Sequence, residues 1–263
     1  MYTSLSPKKI ILEAKDISLS FGGVDALSKV SFSVTEGDFF SIIGPNGAGK
    51  TSMLNVISGR YKPSSGEILF NGKNITKLAT NKRAYLGIGR TFQNLALFNH
   101  MSVLENILVG RHHLLQSGFL KGSLYWLGGV QVEEMLHRAE VEKIIDFLEI
   151  QHIRHSEAGN LSYGLRKRVE LARAIAVKPQ LILLDEPMAG MNLEEKEDMA
   201  RFILDINEEW NITVIMIEHD MAVVMDISKN ILVLNFGKKI AEGRPKNITN
   251  HPEVKKAYLG ENN

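Results

Sequence analysis

The chain has 263 residues, 44% of them hydrophobic and 23% charged, which is enough to bury a full core within the ordinary globular range. Its 31 basic and 30 acidic residues nearly balance, which argues against a large nucleic-acid footprint, and the absence of cysteine excludes disulfides, thiolate catalysis and cysteine-ligated zinc. Apolar runs such as Val214 to Ile217 fall far short of the ~20 residues needed to cross a bilayer. The opening MYTSLSPKKIILEAKD has three lysines and only a three-residue apolar stretch, so a soluble intracellular protein without a secretory signal is expected.

In chain order, short strands come first. ISLSF alternates through Ile17, Leu19 and Phe21, and VSFSV through Val30, Phe32 and Val34. DFFSIIG is an apolar run ending in glycine, KTSMLNVISG reads as a helix stopping at Gly59, and GEILFNGKNI reads as a strand and a turn. From Ser102 the texture becomes helical: SVLENILVGRHHLL and VEEMLHRAEVEKIIDFLEI flank a glycine and aromatic stretch from Gly118 to Gly129. Residues 93–170 are read as a helical insertion. Then Leu165, Val169, Ala172 and Ala176 recur at helical spacing and put Ser162 at a helix entrance, where unpaired N–H groups attract anions. LILLDEP, ITVIMIEHD and NILVLNFGKKIAEG follow as β-rich segments, with the helical LEEKEDMARFILDINEEW between the first two. Strands alternating with helices predict a parallel sheet covered on both faces.

The segment GPNGAGKT, from Gly44 to Thr51, matches G-x-x-x-x-G-K-S/T in full, after a strand and before a helix. Its glycines let successive N–H groups turn towards phosphate oxygens, and the helix N-terminus adds its dipole. Lys50 is placed to reach the β and γ phosphates, and Thr51 offers a hydroxyl to Mg²⁺. Chance would produce such a match on the order of once in a hundred chains of this composition. Asp185, at the C-terminal end of the strand LILLD, suits the same Mg²⁺, and the adjacent Glu186 suits a base for an attacking water. Capping of the turn before Pro187 is the bland alternative for this pair. His219 ends another core strand, where a γ-phosphate contact competes with an ordinary structural role. Gln93 in GRTFQN carries no signal by itself.

Taken in order, these segments resemble the ATPase subunit of ABC transporters across essentially the whole chain: the phosphate loop, Gln93, LSYGL at 161–165, LILLDEP at 181–187, AGMN at 189–192, and His219. The resemblance implies an α/β P-loop NTPase (ABC ATPase) with a mainly parallel core sheet, an N-terminal antiparallel β subdomain and an inserted helical subdomain. The core would take 1–92 and 171–263, and the helical subdomain 93–170.

Two such domains would pack head to tail, so that Ser162 and Gly164 of one cap the ATP of the other. By the same resemblance Phe21 stacks on adenine, although a strand-core role competes. Gly44, Pro45, Asn46, Gly47, Ala48, Gly49, Lys50, Thr51 and Ser52 hold the phosphates. Thr51, Gln93 and Asp185 hold Mg²⁺, Gln93 senses the membrane partner, and Lys50, Glu186 and His219 carry the catalysis. Tyr163 and Leu165 depart from the commoner glycine and glutamine of the signature, which puts a glutamine-to-ribose contact in doubt. Asn192 replaces the usual aspartate of its loop, so no carboxylate can organise the dimer there.

The stretches GRTFQNLALFNHMSVLENILVGRHH, DEPMAGMN and HPEVKKAYLGE look like the ATP-binding subunit of bacterial branched-chain amino acid importers. Urea or amide importers and lipopolysaccharide exporters share much of that pattern. A soluble ABC ATPase of DNA repair or translation would carry a long coiled coil or tandem units, and a GTPase would carry N-K-x-D. The implied partners are transmembrane permease subunits, a second ATPase subunit and, indirectly, an extracytoplasmic solute-binding protein, with the chain on the cytoplasmic face of the inner membrane. The segment from Thr91 to Arg111, with Leu95, Leu97, Phe98 and Met101, is expected to dock on the permease or, alternatively, to complete the helical core.

Overall fold

Two sheets stacked face to face organise the computed structural model, which describes residues 9–91, 96–114 and 129–259. Gln93, Leu95 and the stretch from 118 to 128 lie outside the described residues. The first sheet is antiparallel and comes from the N-terminal third. It pairs β1 (Ile10–Phe21) with β2 (Val24–Thr35) and with β4 (Ser65–Phe70), and β5 (Lys73–Asn74) extends it in the order β2-β1-β4-β5.

The second sheet has six strands in the order β10 (Lys238–Gly243), β9 (Asn230–Asn235), β3 (Phe39–Ile43), β8 (Thr213–Ile217), β7 (Leu181–Asp185) and β6 (Ile88–Arg90). All its pairings are parallel except β9 with β10. Every residue of β3, β7 and β8 is buried, as a sheet covered on both faces requires. The strand pleat sends alternate side chains to different cores. Ile182 and Leu184 join Val214 and Met216 in a helix-covered cluster, while Leu181 and Leu183 join Ile215 and Ile217 in a cluster shared with the antiparallel sheet.

The helices begin where local chemistry can satisfy their first N–H groups. Ser102 and Glu105 form a capping box for α3 (Val103–Arg111), and Asn192 and Glu195 form one for α6 (Leu193–Glu208). The Asp220 side chain caps α7 (Met221–Ile227), and Ser162 caps α5 (Tyr163–Ala176). The nine-residue α1 (Lys50–Ser58) differs: Gly49, at φ 100°, precedes it without any side-chain cap, and it ends at Gly59 in the left-handed conformation. Helices α2 (Thr80–Tyr85), α4 (Gly129–Phe147), α8 (Pro245–Asn250) and α9 (Pro252–Leu259) complete the chain. Within 96–114 and 129–170 the described structure is α3, α4, the start of α5 and short 3-10 turns, with a lone bridge between Ser102 and Glu157. Helix α5 passes through position 170 without a break.

Two local outcomes differ from the periodicity. NILVLNFGKKIAEG is a hairpin, because Phe236 and Gly237 both take positive φ, 44° and 72°, the pattern of a two-residue type I′ turn. The alternation of Ile17, Leu19 and Phe21 also breaks at its end: register shifts at Ile17/Leu19 and Leu19/Ser20 leave Phe21 exposed while the other two stay buried.

Candidate active site

The phosphate loop closes tightly between β3 and α1. At Gly44, φ 149°, a Cβ would lie 2.1 Å from the Leu234 carbonyl oxygen of β9, and at Gly49 one would lie 2.5 Å from the Ala26 carbonyl. The β9–β10 turn braces the loop from outside. Gly237 N–H donates to the Ala48 carbonyl at 3.0 Å, and the Gly237 carbonyl accepts from Ser28 N–H at 2.8 Å. The uncapped first turn of α1 and the loop backbone border a hollow of about 270 Å³ lined by Ala26, Asn46 to Ser52, Glu186 and His219. Such a concavity, ringed by N–H groups at a helix start, suits an anion.

Lys50 is buried, and its Nζ donates to the carbonyls of Gly44 (2.7 Å) and Pro45 (3.1 Å). Burial pushes this ammonium below its ordinary range, against the opposing pull of Glu186 and Asp185. The Thr51 hydroxyl donates to Asp185 Oδ1 at 3.4 Å, which joins the start of α1 to the end of β7. Asp185 is only 1% exposed; burial raises its carboxyl above the usual range, Arg90 pulls it down and Glu186 pushes it further up. Thr51 and Asp185 offer oxygen donors to a hard cation. Among the described residues there is no cluster of three or more His, Cys, Asp or Glu able to cage a metal alone. That combination fits Mg²⁺, which takes one or two protein oxygens and fills its shell from phosphates and water.

Glu186 adopts φ 51°, a left-handed conformation uncommon for a side chain with a Cβ, and its N–H donates to the Ile217 carbonyl. Its Oε1 lies 2.7 Å from His219 Nε2, so the two residues predicted from separate strands meet at the mouth of the hollow. Glu218, not singled out in the sequence, holds this arrangement: it is buried and accepts from the N–H groups of Met188 (2.8 Å) and His219 (2.9 Å). The Phe21 ring is exposed, does not line this hollow, and meets Tyr61 edge to face at 5.1 Å, so a neighbour that the sequence reading missed braces it.

Ser162 and Gly164 do not line this hollow. Ser162 is exposed and its hydroxyl accepts from Leu165 N–H at 3.4 Å. At Gly164 a Cβ would fall 2.2 Å from Glu195 Oε1, so the start of α5 lies against the capping box of α6. Asn192 is the cap residue of that box, accepting from Glu195 N–H at 2.9 Å. A second, larger hollow of about 840 Å³ lies between α2, β6, α3, α4 and α5, lined in part by Arg90, Met101, Leu108, Val109, Arg111 and Arg173. Leu97 is buried in the helical core, Phe98 is 50% exposed, and the Arg173 guanidinium holds the Ala96 carbonyl at 2.6 Å.

Residues 27–189 match the family described as ABC transporter, and residues 238–262 match one described as branched-chain amino acid ATP-binding cassette transporter. The high-affinity branched-chain amino acid transport ATP-binding protein BraF of Pseudomonas aeruginosa is 40% identical, over 95% of this chain and 98% of its own. LivG of Escherichia coli, with the same description, is 37% identical over 95% of this chain and 98% of its own. A nucleotide-free ATP-binding cassette of an ABC transporter superposes with a TM-score of 0.82 at 35% identity, covering 96% of this chain and all of its own. A dimeric cassette in a post-hydrolysis state, bound to ADP and Pi, gives 0.75 at 26% identity, over 89% of this chain and 99% of its own. With the family match spanning residues 27–189 and relatives 37–40% identical along nearly the whole of both chains, the chain belongs to the ATP-binding subunits of ABC transporters.

Proposed function

We propose that this subunit hydrolyses ATP to drive import of branched-chain amino acids through a membrane permease. The observation that carries the choice of solute is the match of residues 238–262 to the branched-chain family, beyond the cassette common to all ABC systems. Among the described residues no helix is long and apolar enough to cross a membrane, so the chain would reach the cytoplasmic face of the membrane by docking on permease subunits. The hollow of about 840 Å³, with Met101 in its wall and Phe98 exposed on the neighbouring segment, is suited to receive a permease segment.

In this reading the N–H groups of the loop and Lys50 bind the β and γ phosphates, and Phe21 stacks on the adenine. Mg²⁺, when bound, would supply positive charge against the negative charge of the phosphates. Thr51 and Asp185 would be its protein donors, with Gln93 proposed as a third. Glu186, oriented by His219 at 2.7 Å, takes the proton of a water as that water accepts the γ-phosphoryl group, and ADP and inorganic phosphate result. Ser162 and Gly164, outside the hollow of their own chain, complete the site of a second ATPase subunit in a head-to-tail dimer. A relative solved as a dimer with ADP and Pi supports this arrangement.

The test is uptake into proteoliposomes carrying this subunit, its co-purifying permease and partner ATPase, with ATP inside and solute-binding protein outside. Leucine, isoleucine and valine should accumulate in an ATP-dependent manner, and urea should not. Urea uptake, or ATP-dependent movement in the opposite direction, would reassign the solute while leaving the ATPase in place.

A further inference from the structure

Arg90 ends β6, and none of the roles proposed above uses it. Its side chain is 7% exposed, and its planar guanidinium is divided between two elements. Nη1 donates to the Leu54 carbonyl at 3.3 Å and to the Ser58 hydroxyl, both in the C-terminal half of α1. Nη2 meets Asp185 Oδ2 at 3.5 Å. The other carboxylate oxygen, Oδ1, accepts from the Thr51 hydroxyl at 3.4 Å.

This division has a geometric effect. The terminal torsion of an aspartate is broad and roughly two-fold, so an unheld carboxylate turns easily. Arg90 fixes it by one oxygen and leaves the other facing Thr51. The anchor and the target also share one rigid element, because α1 carries Thr51 in its first turn and Leu54 and Ser58 further along. A pure capping role for Arg90 does not account for the Asp185 contact. Arg83 already donates to the Val56 and Ile57 carbonyls at 2.8 and 2.7 Å, where α1 has no basic residue of its own in its last turn.

We propose that Arg90 is a positioning residue of the metal site: anchored on α1, it holds Asp185 through Oδ2 so that Oδ1 is presented beside the Thr51 hydroxyl to the Mg²⁺ of the nucleotide complex. The inference rests on the reading of Thr51 and Asp185 as Mg²⁺ donors. A lysine, with a single point donor, can serve either anchor or carboxylate but cannot bridge them.

The experiment measures binding of a non-hydrolysable ATP analogue to the purified chain, from EDTA through rising Mg²⁺, for the wild type, Arg90→Lys, Arg90→Gln and Ser58→Ala. Partners that orient a metal ligand change metal affinity by roughly 10–100-fold when removed. The Mg²⁺ concentration for half of the affinity gain should rise by about that factor in both Arg90 variants, with a smaller rise in Ser58→Ala, and affinity in EDTA should stay within about twofold of wild type. An unchanged Mg²⁺ midpoint in any folded Arg90 variant, with only a lower melting temperature, makes Arg90 a structural cap and overturns the proposal. If Arg90→Gln fails to fold, Arg90→Lys and Ser58→Ala carry the same decision. If the wild type itself binds the analogue independently of Mg²⁺, the donor assignment of Thr51 and Asp185 fails, and the proposal falls with it.

Discussion

Lys50 is costly to bury and is held there by two carbonyls of its own loop. Its folded pKa lies below the ordinary 10.5, so the charged side chain weighs against folding in full at neutral pH, and this cost is relieved as pH rises through the folded pKa towards 10.5. Lys50→Met should therefore abolish ATP binding without lowering the melting temperature of the nucleotide-free protein. A clear drop would mean that its two hydrogen bonds outweigh its desolvation. Glu186→Gln should retain ATP binding and slow hydrolysis by roughly 10²–10⁴, the usual reach of a general base. Turnover near wild type would remove Glu186 from that role. The loop, Asp185 and Glu186 were legible because residue type, spacing and strand context all point one way. Arg90 and Glu218 were not, since each acquires its role only when distant segments meet: Arg90 touches α1 and β7, and Glu218 touches Met188 across 30 positions.

Whole elements were legible where apolar residues recur over several turns or fill a buried strand, as in α1, α5, β7 and β8. The three-residue β6 and the six-residue α2 escaped because neither is a continuous apolar run nor long enough to set a period, so tertiary pairing decides them. The β9–β10 turn escaped because phenylalanine stands where asparagine or glycine is the usual signal. The contact between α5 and the cap of α6 was equally hidden, and it can be tested. Alanine normally improves on glycine in a helix, but at position 164 its Cβ would displace Glu195, whose Oε2 accepts from Asn192 N–H at 3.1 Å. Gly164→Ala should cost about 1 kcal/mol, the typical value of a lost cap. In a Glu195→Ala background the same substitution should become neutral or stabilising. Equal costs in both backgrounds would show that the clash does not operate through the cap.

At the scale of the molecule, one chain presents separate faces for separate tasks. The hollow bordered by the phosphate loop excludes Ser162, while the larger hollow sits among the helices, with Arg90 in its wall. If the larger hollow receives the permease, Phe98→Ser and Met101→Ser should leave melting temperature and ATP binding near wild type and prevent co-purification with permease subunits. Leu97→Ser should instead lower the melting temperature, because Leu97 packs in the helical core. Unaltered co-purification of both surface variants would exclude this docking face. The β9–β10 turn has a practical consequence as well. Phe236 is 84% exposed, so the turn resembles a harmless place to graft an epitope or a fluorescent label. Its neighbour Gly237 nevertheless supplies backbone partners to both Ala48 and Ser28, so lengthening this turn would unfasten the phosphate loop while leaving every side chain of the site intact.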